Sequence, residues 1–72
     1  MIISVNNKTY KMSRSAAEGV LKVASEQVPI GIYAVESKGR IELLNIPCSS
    51  KMELKNKKEL YIKRGFKVYA NG

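Results

Sequence analysis

Seven basic side chains crowd into residues 51–67: Lys51, Lys55, Lys57, Lys58, Lys63, Arg64 and Lys67, opposed only by Glu53 and Glu59. The segment carries +5 of the chain's net charge of +7. If residues 51–63 are helical, Lys51, Lys55 and Lys58 project within about 60° of one another. Such a ridge of amines could hold phosphates or the carboxylates of an acidic protein surface. Met52 and Ile62 fall off the apolar stripe of that helix and lie among the lysines, where only a partner would cover them. A second set is Tyr33, Lys67 and Tyr69, which strand alternation turns away from the residues expected in the core. Two tyrosines and a lysine on an open sheet face would form a platform on which bases stack, each contributing about 1–3 kcal/mol.

Both sets have an ordinary explanation. Lysines solvate surfaces, and tyrosine suits a pleated strand. The chain has only three arginines, the residue best shaped for bidentate phosphate contacts. Cys48 precedes a helix start, a position where a thiol can carry redox chemistry. It has no resolving cysteine and no base, and it reads as a half-buried spacer.

What is missing narrows the chemistry further. The chain has no His, no Asp and no Trp, and its six acids are all Glu. General acid–base catalysis near neutral pH uses His or paired carboxylates, and a nucleophile needs an adjacent base. One cysteine builds neither a disulfide nor a zinc cluster, and the five glycines are too scattered for a phosphate loop. The expectation is a protein that is not an enzyme and carries no cofactor or metal. A lone thiol fits a reducing compartment. No basic region leads into a long apolar run at the N-terminus, and no stretch approaches a membrane span. The expected location is therefore cytoplasmic. A pI near 9.8 passes the mark used to flag nucleic-acid binders, yet +7 is within the range that keeps any small domain soluble.

The elements that must position these residues fit one domain over residues 1–72. Asn6-Asn7 can form a type I′ turn, pairing Val5 with Lys8, Ile3 with Tyr10 and Met1 with Met12. One face of that hairpin is Met1, Ile3, Val5, Tyr10 and Met12. "SRSAAEGVLKVASEQV" predicts a helix with a capping box Ser15–Glu18, Ser13 being the competing cap. Its apolar stripe is Ala17, Val20, Leu21, Ala24 and Val28, Glu18 and Lys22 form a favourable i,i+4 pair, and Pro29 stops it. "PIGIYAVESKGRIELLNIP" predicts a hairpin turning at Ser37-Lys38-Gly39. Ser50 and Glu53 form a second capping box. Glu53–Lys57 and Glu59–Lys63 have the Glu-before-Lys spacing, and Leu54, Leu60 and Tyr61 make the apolar side. "ELYIK", residues 59–63, also passes as a strand.

Arg64-Gly65-Phe66 has the opening of the aromatic motif of RNA-recognition domains. That motif needs a small residue and then an aromatic after the phenylalanine, where Lys67 and Val68 stand. Gly65 instead supplies a left-handed helix cap, with Phe66 packing back on Tyr61 or Leu60. The strand "FKVYA" follows. The result is an α+β fold, ββαββαβ, with about five mostly antiparallel strands and two helices on one face. The expected core is Ile3, Val5, Tyr10, Met12, Ala17, Leu21, Ala24, Val28, Ile30, Ile32, Ile41, Leu43, Leu54, Tyr61, Phe66 and Val68.

With "NNKTYKMS" near its start, "GIYAVES" at its centre and "GFKVYANG" at its end, the chain resembles short uncharacterised proteins of phages and prophages of Gram-positive bacteria. The resemblance carries no site residues. It implies a context in which small stand-alone proteins bind a host or defence protein. The favoured expectation is thus a modulator or inhibitor of a protein partner with an acidic surface. The alternative is a nucleic-acid-binding module using Lys51, Lys55, Lys58, Lys63, Arg64 and Lys67 with Tyr33 and Tyr69. The third is a homodimer paired through the open sheet face.

Overall fold

The structure, a computed structural model, describes residues 1–72. Strands β1 (Ile2–Val5) and β2 (Lys8–Lys11) precede helix α1 (Arg14–Glu26). Strands β3 (Gly31–Ser37) and β4 (Arg40–Pro47) follow, then helix α2 (Lys51–Lys63) and strand β5 (Lys67–Asn71). The five strands form one mixed sheet in the order β2-β1-β4-β3-β5, as an α+β fold. All neighbours are antiparallel except β1 and β4, which run parallel and bring Ile3 beside Ile41.

Local chemistry explains the turns. Asn6 and Asn7 both adopt positive φ, 49° and 67°, the two-residue geometry that matches the twist of the flanking strands. Val5 pairs with Lys8 and Ile3 with Tyr10, the register expected from the sequence. Lys38 and Gly39 turn the second hairpin with φ of 54° and 75°. Helix α1 starts at Ser13 rather than Ser15, because the Ser13 hydroxyl accepts the Ala16 N–H at 3.2 Å. Glu18 reaches back to Arg14 at 3.9 Å and not forward to Lys22.

At α2 the Ser50 hydroxyl accepts the Glu53 N–H at 3.2 Å. The Glu53 carboxylate returns to the N–H and hydroxyl of Ser49, and pairs with Lys57 at 3.0 Å. The Ser49 bonds, then Lys57, lower its pKa to about 2. Glu59 and Lys63 form no ion pair. Residues 59–63 are helical. Gly65 takes φ +89°, and the Phe66 N–H donates to the Tyr61 carbonyl at 3.1 Å. Phe66 meets Tyr61 edge-on at 6.1 Å, so the cap and its apolar contact stand as the sequence predicts.

The core has two halves, and this corrects the placement of both helices on one face. Ile3, Ala17, Ala34 and Ile41 form one cluster with Val20 and Leu21 of α1 around them. Ile32, Val35 and Leu54 form the other, with Tyr61, Phe66 and Val68. Strand alternation puts Ile41 and Leu43 on one side of β4 and Leu44 and Ile46 on the other, so α1 and α2 pack on opposite faces.

The switch inside β3 comes from a bulge. The pairing register shifts between Ile32 and Ala34: against β5 Tyr33 is the extra residue, while against β4 the two residues Leu44 and Asn45 stand opposite it. A bulge breaks strict alternation, and Tyr33 and Ala34 both pack with the α1 cluster. The expected core is also corrected at its edges. Tyr10 and Ile30 are 48 % and 41 % exposed, while Ala34 and Val35 are buried. Leu60 is 59 % exposed, because the inward side of α2 is Leu54 and Tyr61.

Candidate functional site

Leu54 is the one fully buried residue of α2, and it fixes how the helix turns its lysines. A groove of about 350 Å³ runs along the flank of α2, lined by Lys51, Leu54, Lys55, Lys58, Glu59, Ile62 and Gly72. The three lysines expected to form a ridge thus share one concave surface. Lys51 and Lys55 are exposed, while Lys58, expected on the solvent side, is half-buried. None of the three makes an ion pair, since the ion pairs of the molecule are Arg14–Glu18 and Lys57–Glu53. Ile62 is 56 % exposed within the groove, and Met52 is 67 % exposed on the outer side of the helix. Leu54 forms the apolar floor, and Gly72, just past β5, closes one wall.

The other candidates stand elsewhere. Arg64 lies across α2, where it lines a separate hollow with Ile46, Lys57, Leu60 and Tyr61. Lys63 is exposed at the last turn of the helix. Lys67, Tyr33 and Tyr69 are on the α1 side of the sheet. Tyr33 and Tyr69 are 6.2 Å apart and tilted by 46°, and the Lys67 ammonium sits 5.1 Å above the Tyr69 ring. They form a cluster but no open platform. Both tyrosines pack against the cluster that α1 covers, and Lys67 and Tyr69 share a small cavity with Arg14, Glu18 and Leu21 of α1. Neither sheet face is without a helix, so the bare face needed for base stacking or for a sheet-to-sheet dimer is absent.

Polar contacts that the sequence did not announce hold this side together. The Tyr69 hydroxyl donates to Glu36 at 2.5 Å. The Asn71 amide donates to the carbonyls of Ser25 and Val28 at 2.8 and 2.9 Å, tying β5 to the end of α1. No spacing rule marks Asn71, because its partners are 46 and 43 residues away. Cys48 is a free, half-buried thiol whose sulfur lies 3.8 Å from the Ile46 carbonyl oxygen. No group of three His, Cys, Asp or Glu side chains converges on a point, and no helix is long and apolar enough to cross a membrane.

The Glu36 bond gives Tyr69 a measurable signature. Hydrogen bonding to Glu36 stabilises the neutral phenol and, with burial and the carboxylate's charge, pushes the Tyr69 pKa up to about 12. An unfolded tyrosine ionises near 10. The folded-state pKa is the higher one, so the stabilisation is fully present below pH about 10. It is lost as pH rises through about 12. In a phenolate absorbance titration, one of the four tyrosines is expected to ionise well after the others. Tyr69→Phe is expected to remove that last step alone. Retention of the late step in the variant would move the assignment to another tyrosine.

No family model matches this chain, and neither the curated proteins nor the solved structures compared with it gave a match.

Proposed function

We propose that this is a small, non-enzymatic, cytoplasmic binding protein that docks an acidic surface of a protein partner on the outer flank of α2. The observation carrying this reading is the groove itself, where Lys51, Lys55 and Lys58 stand unpaired around Ile62 and above Leu54. A solvated lysine face would have no need of an exposed isoleucine at its centre. A phosphate backbone would draw on the amines and leave Ile62 and Met52 unused. Protein interfaces use both, setting apolar anchors within a charged rim that steers encounter. Lack of His and Asp supports binding over catalysis. The resemblance to short phage proteins favours a host or defence factor as the partner, with the chain acting as its modulator or inhibitor.

Nucleic acid is less well served. The amines of α2 and the tyrosines lie on opposite sides of the sheet, so a single strand tracking the groove would not meet Tyr33 or Tyr69. Glu59 also lines the groove and would face the phosphates.

The deciding experiment is affinity capture from a nuclease-treated bacterial lysate, beside the double variant Lys51→Glu/Lys55→Glu. Both positions are exposed, and at position 51 a carboxylate suits the first turn of the helix, so the fold is expected to be retained. A stoichiometric protein partner is expected with the parent chain and is expected to bind the variant about ten- to a hundredfold more weakly. Recovery of nucleic acid with no stoichiometric protein, in a parallel capture without nuclease, would sink the reading. A log–log salt slope for labelled oligonucleotides of about −0.7 to −0.9 per phosphate, flattened by the same variant, would put nucleic acid in its place.

A further inference from the structure

We propose that the segment of the partner that fills the lysine groove is an extended acidic strand, added to the sheet along the outer edge of β5. The proposal rests on the reading of α2 as a docking surface for an acidic protein, and names how that surface is used.

Strand β5 ends the sheet and pairs with β3 on one side only. None of the backbone hydrogen bonds made outside helices and strands involves residues 67–71, so the outward N–H and C=O groups of β5 have no partner within the chain. Such an edge is a template for another strand. The features that usually blunt an edge are weak here. The strand reads Lys-Val-Tyr-Ala-Asn, with no proline, and its one charge is drawn over the Tyr69 ring. The bulge lies in β3, inside the sheet, and β5 itself runs uninterrupted.

Geometry links this edge to the lysines. The two flanks of α2 look over different strands: Lys57, Leu60 and Arg64 stand by Ile46 of β4, whereas Lys51, Lys55 and Lys58 stand by Gly72, just beyond β5. The basic groove therefore opens on the side where the sheet ends. A strand laid on β5 would project every second side chain towards α2. Carboxylates at those positions would meet three amines that have no other ion pair. Backbone pairing would supply affinity, and the amines would select an acidic sequence, the usual division of labour in strand addition. The opposite edge, β2, carries Lys8 and Lys11 but no helix flank or groove to seat the side chains of an added strand. All four β2 residues are exposed, and no cavity of the molecule is lined by residues 8–11.

The test is fluorescence anisotropy with three labelled peptides of about six residues, a usual strand length. One alternates Glu with Val, the second is the same peptide N-methylated on the amides of one edge, and the third is a helix-forming Ala/Glu peptide of equal charge. A neutral Gln/Val peptide is the blank. The alternating peptide is expected to bind and to slow hydrogen exchange of the outward amides of β5. Blocking the paired amides is expected to weaken it about tenfold or more, and Lys51→Gln/Lys55→Gln is expected to weaken it further. If the Ala/Glu peptide binds as well and N-methylation has no effect, whichever of the two edges carries it in separately made peptides, strand addition is overturned while acidic docking stands. If no acidic peptide exceeds the neutral blank, both are overturned.

Discussion

Replacement of Gly31 by alanine is expected to abolish cooperative folding. Gly31 opens β3 at φ +149°, a region of backbone space that essentially only glycine occupies. A methyl group there would be driven into the Ile46 carbonyl oxygen and to within 2.7 Å of Val28 Cγ1. The first obstacle is backbone of a neighbouring strand, and Gly31 is paired with Pro47 on one side and Asn71 on the other. Relief would require β3 to part from β4. Backbone strain of this kind costs about 1–3 kcal/mol by itself, and displacing a paired strand adds to it. A domain of this size has about 3–5 kcal/mol of net stability. Circular dichroism during thermal melting is the measurement, with Gly19→Ala as the control. Gly19 is helical and has nothing within 4 Å of its added methyl, so that variant is expected to gain about 0.5–1 kcal/mol. A Gly31→Ala protein that melts cooperatively within a few degrees of the parent would refute the argument.

Leu54→Ala is expected to release α2 from the sheet. Leu54 is 5 % exposed and anchors the second cluster. Truncating a buried leucine costs about 2–5 kcal/mol, comparable with the whole stability of so small a domain. The helix has little else to hold it, because Met52, Leu60 and Ile62 all point into solvent. Tyr61, packed on Phe66, remains as the second attachment. Amide exchange is expected to rise first in residues 51–63 and then in β5, and acidic peptides are expected to lose their site with it. If the α2 amides of Leu54→Ala stay as protected as those of β4, the helix is held by contacts other than the one named.

These two residues also show where the sequence was readable and where it was not. Gly65 was legible as a cap because basic residues precede it and an aromatic follows, all within one turn. Asn6-Asn7 was legible because a two-residue turn sets the register of both strands at once. Gly31 carried no such mark: the carbonyl that demands glycine belongs to Ile46, in another strand. The bulge at Tyr33 was hidden for the same reason. Period-2 reading assigns Ile32 and Ala34 to one face, and only the pairing with β5, far along the chain, reveals Tyr33 as an extra residue. Alternation did turn Tyr33 and Tyr69 away from Ile32 and Val68. With both helices expected on one side, however, that face was read as bare, whereas α1 covers it. The lysine ridge was readable from helical spacing, but the wall formed by Gly72 required knowing that β5 returns beside α2.

The two clusters of the core have no residue in common, even among the half-buried side chains around them. A single sheet separates them, so substitutions on one side have no packing partner on the other, and their energetic effects combine additively. For a lineage under selection, the molecule is two nearly independent workpieces sharing one backbone. Residues beneath α1 can drift, repack or be rebuilt while the side beneath α2 keeps its groove. The surface along α2 can thus be altered without renegotiating the whole interior.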